Sequence, residues 1–233
     1  MTDAPQTGST LALVRLLQLA SPALPIGAYS YSQGLESAVA HGDVLDAATA
    51  ATWIGDMLEH VLAPGEAVVL WRLLDALQRE DWPRAVEWND WFRASRETAE
   101  LRAETEQMGG SLVRLATDLD LLDSAAHAVV AMMAPVMLPA AFALAARAFG
   151  ISATDALTAY VWSWLENQVL AAMKTIPLGQ VAGQRILMQA GARIPAVVTL
   201  VRSIADEDMS TFAPGLAIAS SRHETQYTRL FRS

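Results

Sequence analysis

The chain has 233 residues, a formal net charge of −9, 53% apolar and 18% charged residues, and no cysteine. Lack of Cys excludes a disulfide framework, a thiol nucleophile and any thiolate metal site. The acidic balance, with no basic stripe, argues against nucleic acid or an anionic membrane as partner. An apolar share this high calls for a large helical core, for apolar surface buried in an oligomer or permanent complex, or for both.

Residues 1–9 are polar with Pro and Gly and read as a disordered arm. The opening MTDAPQTGST has no basic n-region, so no secretory signal is expected. A helix follows from Thr10 to Ala20. Ser21-Pro22 and Leu24-Pro25 stop it, and Gly27 allows a tight turn. A second helix is expected from Tyr29 or Ser30 to His41, with Gly34 inside it and Gly42 as its C-cap. Ala47–Leu62 is helical, and Pro64 opens a helix running to Gln78. Asp81 caps Trp82–Ala94. Ser95–Thr117 continues or restarts that helix, with Leu101, Thr105, Met108, Leu112 and Leu115 on one face. Arg96–Glu100 and Arg102–Glu106 are placed as i,i+4 pairs on its wet side. Gly109-Gly110 marks a bend or a close helix crossing.

Helices are expected over Ala125–Met133 and Pro139–Phe149. The uncharged run Ala128–Ala146 is broken by Pro135 and Pro139 and reads as two short buried segments, not as a spanning helix. The stretch Thr154–Met173 is apolar nearly all round and is taken as the central helix of a bundle, capped by Ser152 with Asp155 in the capping-box position. Glu166, Asn167, Gln168 and Lys174 are set into it. Pro177 limits it and Gly179 allows a turn before helices Val181–Gln189 and Ile194–Ile204. A polar stretch and a short helix Pro214–Ser220 precede the tail. No alternating run bounded by hairpin turns is convincing, so the fold class is all-α: one domain of about ten helices over residues 10–220.

Chemistry is mostly sought and not found. No P-loop, HExxH or GxSxG is present, and His41, His60, His127 and His223 are far apart. Asp118, Asp120 and Asp123 are spaced as acidic caps on a connection, not as a Mg²⁺ pair. His223-Glu224 offers two ligand types side by side, a weak candidate for a transient metal contact. In the tail, Arg222, His223, Glu224, Arg229 and Arg232 alternate with Tyr227, Leu230 and Phe231. Such a segment either docks into a partner or folds back onto its own acidic body. SPALPIGAYSYSQGLE is either a shaped loop presenting Tyr29, Tyr31 and Gln33 or an ordinary connection with core aromatics.

Four segments together carry a resemblance. Leu19–Glu36 (LASPALPIGAYSYSQGLE), Arg93–Met108, Asn167–Arg185 (with KTIPLGQVAGQR) and Ser220–Ser233 (SSRHETQYTRLFRS) resemble, in order, the motifs of the urease accessory protein UreF family. Ser21, Pro22, Pro25, Gly27, Tyr29, Ser30, Tyr31, Ser32, Gly34, Leu35 and Glu36 match the first motif. Tyr29 stands where many members have Phe. Pro177, Leu178, Gly179, Gln180, Gly183, Gln184 and Arg185 match the central motif.

The resemblance implies a cytoplasmic, non-enzymatic scaffold required for nickel insertion into apo-urease. It implies a homodimer that binds UreD (also called UreH) and recruits and regulates the GTPase UreG. No tightly bound cofactor is implied, only nickel passing transiently. It makes residues 221–233 a partner-docking tail, with Arg222, His223, Glu224, Gln226, Tyr227, Arg229, Leu230, Phe231 and Arg232 as candidates. Lys174 and Arg229 match positions that hold the tail or communicate with the GTPase. The competing classes are a helical adaptor of another system and a small all-α enzyme. Turnover by the purified chain would favour the enzyme, and failure to bind urease accessory partners would favour the other adaptor.

Overall fold

The computed structural model describes residues 7–233. Among these, all regular structure is helical: α1 (Thr7–Leu19), α2 (Leu35–Ala40), α3 (Ala47–Met57), α4 (Glu66–Gln78), α5 (Trp82–Ala94), α6 (Ala99–Asp118), α7 (Ser124–Met132), α8 (Leu138–Ala148), α9 (Ala153–Thr175), α10 (Gln180–Gly191), α11 (Ile194–Ser203) and α12 (Pro214–Glu224). A 3-10 turn spans Ala28–Ser30, and α3 runs on into a π-helical segment, Leu58–Leu62. The chain is all-α, as expected. No described helix is long and apolar enough to cross a membrane.

Helix α9 is the axis. Ser152 caps it by accepting the Asp155 N–H at 3.1 Å, while the Asp155 carboxylate accepts the Ser152 hydroxyl at 2.6 Å. The reciprocal half of a capping box, a bond from the Ser152 backbone, is not the one formed. Leu157, Val161, Leu165 and Val169 are fully buried, each contributing at most about 2–3 kcal/mol of apolar burial. Helices α1, α2, α3, α4, α8, α10 and α11 all pack against this rod. Helices α6 and α8 form a second close pair, and Gly109 is the reason. A Cβ there would lie 2.2 Å from the Val136 carbonyl oxygen. The glycine pair therefore marks a crossing, and α6 runs through it unbroken.

Several expectations need correction. Of the expected arm 1–9, residues 1–6 lie outside the described residues, and residues 7–9 already belong to α1. The second helix starts at Leu35, because residues 31–34 form a loop in which Gln33 and Gly34 both have positive φ. Gly34 sits at the N-cap, and its close neighbour is Ala219 of α12, 3.2 Å from where a Cβ would stand. Ser95–Glu97 breaks the Trp82–Thr117 region, and Thr98 caps a fresh helix, α6. The pairs Arg96–Glu100 and Arg102–Glu106 do not form. Arg96 reaches Glu66, Arg93 takes Glu106, and Glu100 turns to the C-terminal segment. Helix α12 continues past Ser220 to Glu224, so its last turn carries Arg222 and His223.

Candidate functional site

The two ends of the sequence motif set meet. After Gly27, whose φ of +79 turns the chain, the 3-10 turn and the Tyr31–Gly34 loop lay a strip of backbone along α9 and α6. Asn167 of α9 donates to the Tyr31 carbonyl at 3.0 Å, and the Tyr31 hydroxyl donates to Gln107 of α6 at 2.8 Å. Onto this strip folds the C-terminal segment. Arg232 N–H donates to the Ser30 carbonyl at 2.8 Å, and Ser32 N–H and hydroxyl both donate to the main-chain oxygen of Ser233, at 2.9 and 2.5 Å.

Glu36 is the hub. It opens α2 and is buried, and it accepts the backbone N–H groups of Leu230 at 2.7 Å and Phe231 at 2.9 Å. His223 is fully buried between two carboxylates: Nε2 lies 3.2 Å from Glu36 Oε2 and Nδ1 2.6 Å from Glu100 Oε2. Arg229 completes the set by donating to Glu100 at 2.7 Å. Acidic groups of α2 and α6 thus receive the basic groups of the tail. With so few exposed partners, these charge-assisted bonds are stronger than surface pairs. Phe231 packs into the main core, and Lys174 Nζ stands 5.5 Å from its ring and 5.7 Å from that of Tyr29. Glu224 reaches across to accept the Ala99 N–H at 3.0 Å and the Glu100 N–H at 3.4 Å, at the start of α6.

Beneath the clasp lies a buried polar layer. Glu104 accepts from Gln33 Nε2 and from the Ser233 hydroxyl, each at 2.7 Å, and is 1% exposed. Burial pushes its carboxyl up to about 7. Gln33 also accepts the Trp164 indole N–H at 2.7 Å. Tyr160 donates to Glu66, which also pairs with Arg96 at 3.3 Å. Burial, with the Glu66 charge beside it, pushes the Tyr160 hydroxyl well above its usual range. The Leu19–Tyr29 stretch covers a cavity of ≈ 90 Å³ between these groups and the apolar side chains of Met108, Phe142 and Leu170.

The sequence candidates divide clearly. Lys174, His223, Arg229, Leu230, Phe231 and Arg232 gather with Tyr29–Glu36. Tyr227 is fully exposed, Leu230 presents its side chain outward at 70% exposure, and Arg222 faces solvent. Gln226 bonds within the tail, to the Thr228 carbonyl. Residues 177–179 form the α9–α10 turn instead and residues 180–185 begin α10, with Gly183 so close to Met173 that a Cβ would meet its sulfur at 2.5 Å. Sequence reasoning missed Glu100, Glu104 and Gln107. A signal existed for Glu104, which falls on the same helical face as Leu101, Thr105 and Met108. Among the described residues no group of three or more His, Asp or Glu is arranged to hold a metal ion.

The chain is thus an all-helical body with a C-terminal segment held down by backbone bonds, from which Tyr227 and Leu230 point outward. The UreF family model matches residues 44–191. The urease accessory protein UreF of Azoarcus sp. (strain BH72) is 56% identical over 229 residues, 97% of either chain. That of Cupriavidus taiwanensis is 52% identical, covering 95% of this chain and 97% of its own. That of Janthinobacterium sp. (strain Marseille) is 49% identical, covering 95% and 98%. The chain belongs to the UreF family of urease accessory proteins and is an accessory protein, not an enzyme.

Proposed function

We propose that this chain is the scaffold subunit of a cytoplasmic urease-maturation assembly, forming a homodimer that binds a UreD/UreH protein and recruits and regulates the GTPase UreG. The observation that carries this reading is the outer face of the clasped tail. Tyr227, Leu230 and Arg232 stand outward on a segment whose backbone is fixed at residues 230–232. A prefixed segment loses little further chain entropy on docking. Aromatic rings and guanidinium forks then supply the contact energy. Lys174, at the edge of the clasp, links tail position to the rest of the body and serves communication with the GTPase. Nickel is cargo in this reading. It passes through shared polar surface by weak, exchangeable contacts, to which His223 and Glu224 contribute only when the tail rearranges.

The test is co-purification with light-scattering mass, using the UreD-like and UreG-like proteins with the full chain, a chain ending at Ser220, and a Tyr227→Ala/Leu230→Ala variant. The full chain is expected to give a two-fold complex, and the double variant a folded protein with binding weakened about a hundredfold. The truncation also removes His223 and Phe231 from the body, so the double variant decides. Unchanged binding by it moves the interface to the helical body. No binding by the full chain overturns the scaffold reading.

A further inference from the structure

We propose that the C-terminal segment is a proton-controlled latch, with Glu104 beneath Ser233 and Gln33 holding the segment docked when it carries a proton and loosening it when it ionises. The geometry is that of a carboxylate sealed by the segment it binds. Its two oxygens meet only the Gln33 amide and the Ser233 hydroxyl, and 1% of its surface is exposed. A hydroxyl can donate or accept, so Ser233 stays bonded in either protonation state. Hydration cannot be recovered in the same way. The ≈ 90 Å³ cavity on its inner side is lined by body residues and is common to both states, so withdrawal of Ser233 adds water on the outer side only, and the desolvation of that side acts against docking.

The groups that face Glu104 do not cancel this cost. From α4, Glu66 repels its charge; Arg96, before α6, attracts it but is engaged with Glu66. From α9, the Tyr160 hydroxyl is committed to Glu66, and Trp164 to Gln33. From the loop, the Tyr31 hydroxyl is committed to Gln107. From the tail, Arg232 reaches Gln107 and not Glu104. The Glu36–His223–Glu100–Arg229 set holds the segment independently and fixes the baseline strength of docking. Glu66, Arg96 and Tyr160 belong to the body and are present in both docked and released states, so the difference between the states lies in access of water to Glu104.

The direction follows from linkage. Docked, Glu104 titrates near about 7; released into water it returns toward the ordinary carboxyl value of 4.5. Docking is tightest below the lower value, weakens by up to about tenfold per pH unit between the two, and levels off above the higher. The latch is a property of the chain on its own and stands whether or not the tail meets a partner.

The experiment is amide hydrogen exchange on the full chain from pH 5 to 8.5, each rate divided by the intrinsic rate at that pH. The amides of Leu230 and Phe231 report the tail, and those of Leu165 and Val169 in α9 report global opening. The expected result is tail protection falling at least tenfold between pH 5 and 7 and then levelling, with α9 protection higher throughout. Glu104→Gln is expected to flatten the tail profile. Ser233→Ala is expected to lower tail protection at every pH while keeping the slope. A slope that persists in Glu104→Gln assigns the gate to another group and overturns the proposal. So does a tail profile that is flat in the unmodified chain, or tail protection equal to that of α9 at every pH, which reports global opening alone.

Discussion

Glu36 accepts the backbone N–H of Phe231 at 2.9 Å, across 195 residues of sequence. The same carboxylate takes the Leu230 N–H and faces His223. One buried side chain therefore fixes both the end of α12 and the extended strip beyond it. Glu36→Ala leaves two N–H groups and the imidazole without their acceptor, a loss of about 3 kcal/mol by the cost of unmade bonds to charged groups. Exchange protection at Leu230 and Phe231 is expected to drop roughly a hundredfold, while far-UV circular dichroism changes little. Retained protection would make Glu36 a bystander.

The α6–α8 crossing separates two adjacent glycines. A methyl at Gly109 would meet the Val136 oxygen at 2.2 Å and Met137 carbonyl carbon at 2.7 Å, both backbone. Gly109→Ala must push the helices apart and is expected to cost about 3 kcal/mol or more. Gly110 has nothing within 4 Å of the same position. Gly110→Ala is expected to stabilise by up to about 1 kcal/mol, from helix propensity alone. Chemical denaturation of the two variants checks the contrast, and equal effects would contradict the crossing.

Glu104 also gives the whole fold a pH dependence with a definite sign. Its carboxyl is raised from 4.5 to about 7, chiefly by burial. Between those values the folded chain binds a proton that the unfolded chain has released. Its contribution is fully present below pH 4.5 and is lost as pH rises toward 7. The total loss is about 3 kcal/mol at one decade of equilibrium constant per pH unit. The stability of Glu104→Gln minus that of the unmodified chain is expected to climb across this window and flatten above it. A flat difference curve in urea titrations at several pH values would show that Glu104 is hydrated in the folded state.

Helix number, order and the central rod were legible because apolar periodicity and caps are local signals. Asp81 and Ser152 cap where spacing places them, and Pro177 follows α9 closely. What failed locally failed for a tertiary reason. Glu100 looked like a solvent-side partner of Arg96 because i,i+4 neighbours are the only ones a helix shows from sequence. The structure gives it to His223 and Arg229, more than 120 residues away. Residues 31–34 read as the first turn of a helix because Tyr, Ser and Gln tolerate helix. They form a loop because α12 and Ser233 occupy the space and bonds beside them. The tail left two readings open because its alternation of Arg and aromatic residues suits a partner surface as well as its own body.

The two readings of the tail are separable by side chain. Phe231 is buried in the main core, whereas Tyr227 is fully exposed and Leu230 is 70% exposed. Inward and outward side chains alternate along an extended segment, so neighbouring residues serve different surfaces. Phe231→Ala removes core packing and is expected to cost about 3 kcal/mol, seen as lost tail protection with or without partner. Tyr227→Ala and Leu230→Ala remove no intramolecular packing of that size and are expected to change stability by less than about 0.5 kcal/mol. Under the proposed docking they weaken binding of the UreD-like protein by at least about tenfold each, an effect of roughly 1.4 kcal/mol or more typical of a buried aromatic or apolar anchor. Chemical denaturation of the three variants reads stability, and titration calorimetry with the UreD-like protein reads binding. If Phe231→Ala alone weakens binding, the tail acts only by shaping the body. If Tyr227→Ala and Leu230→Ala weaken it with the clasp intact, the outward face is the contact itself.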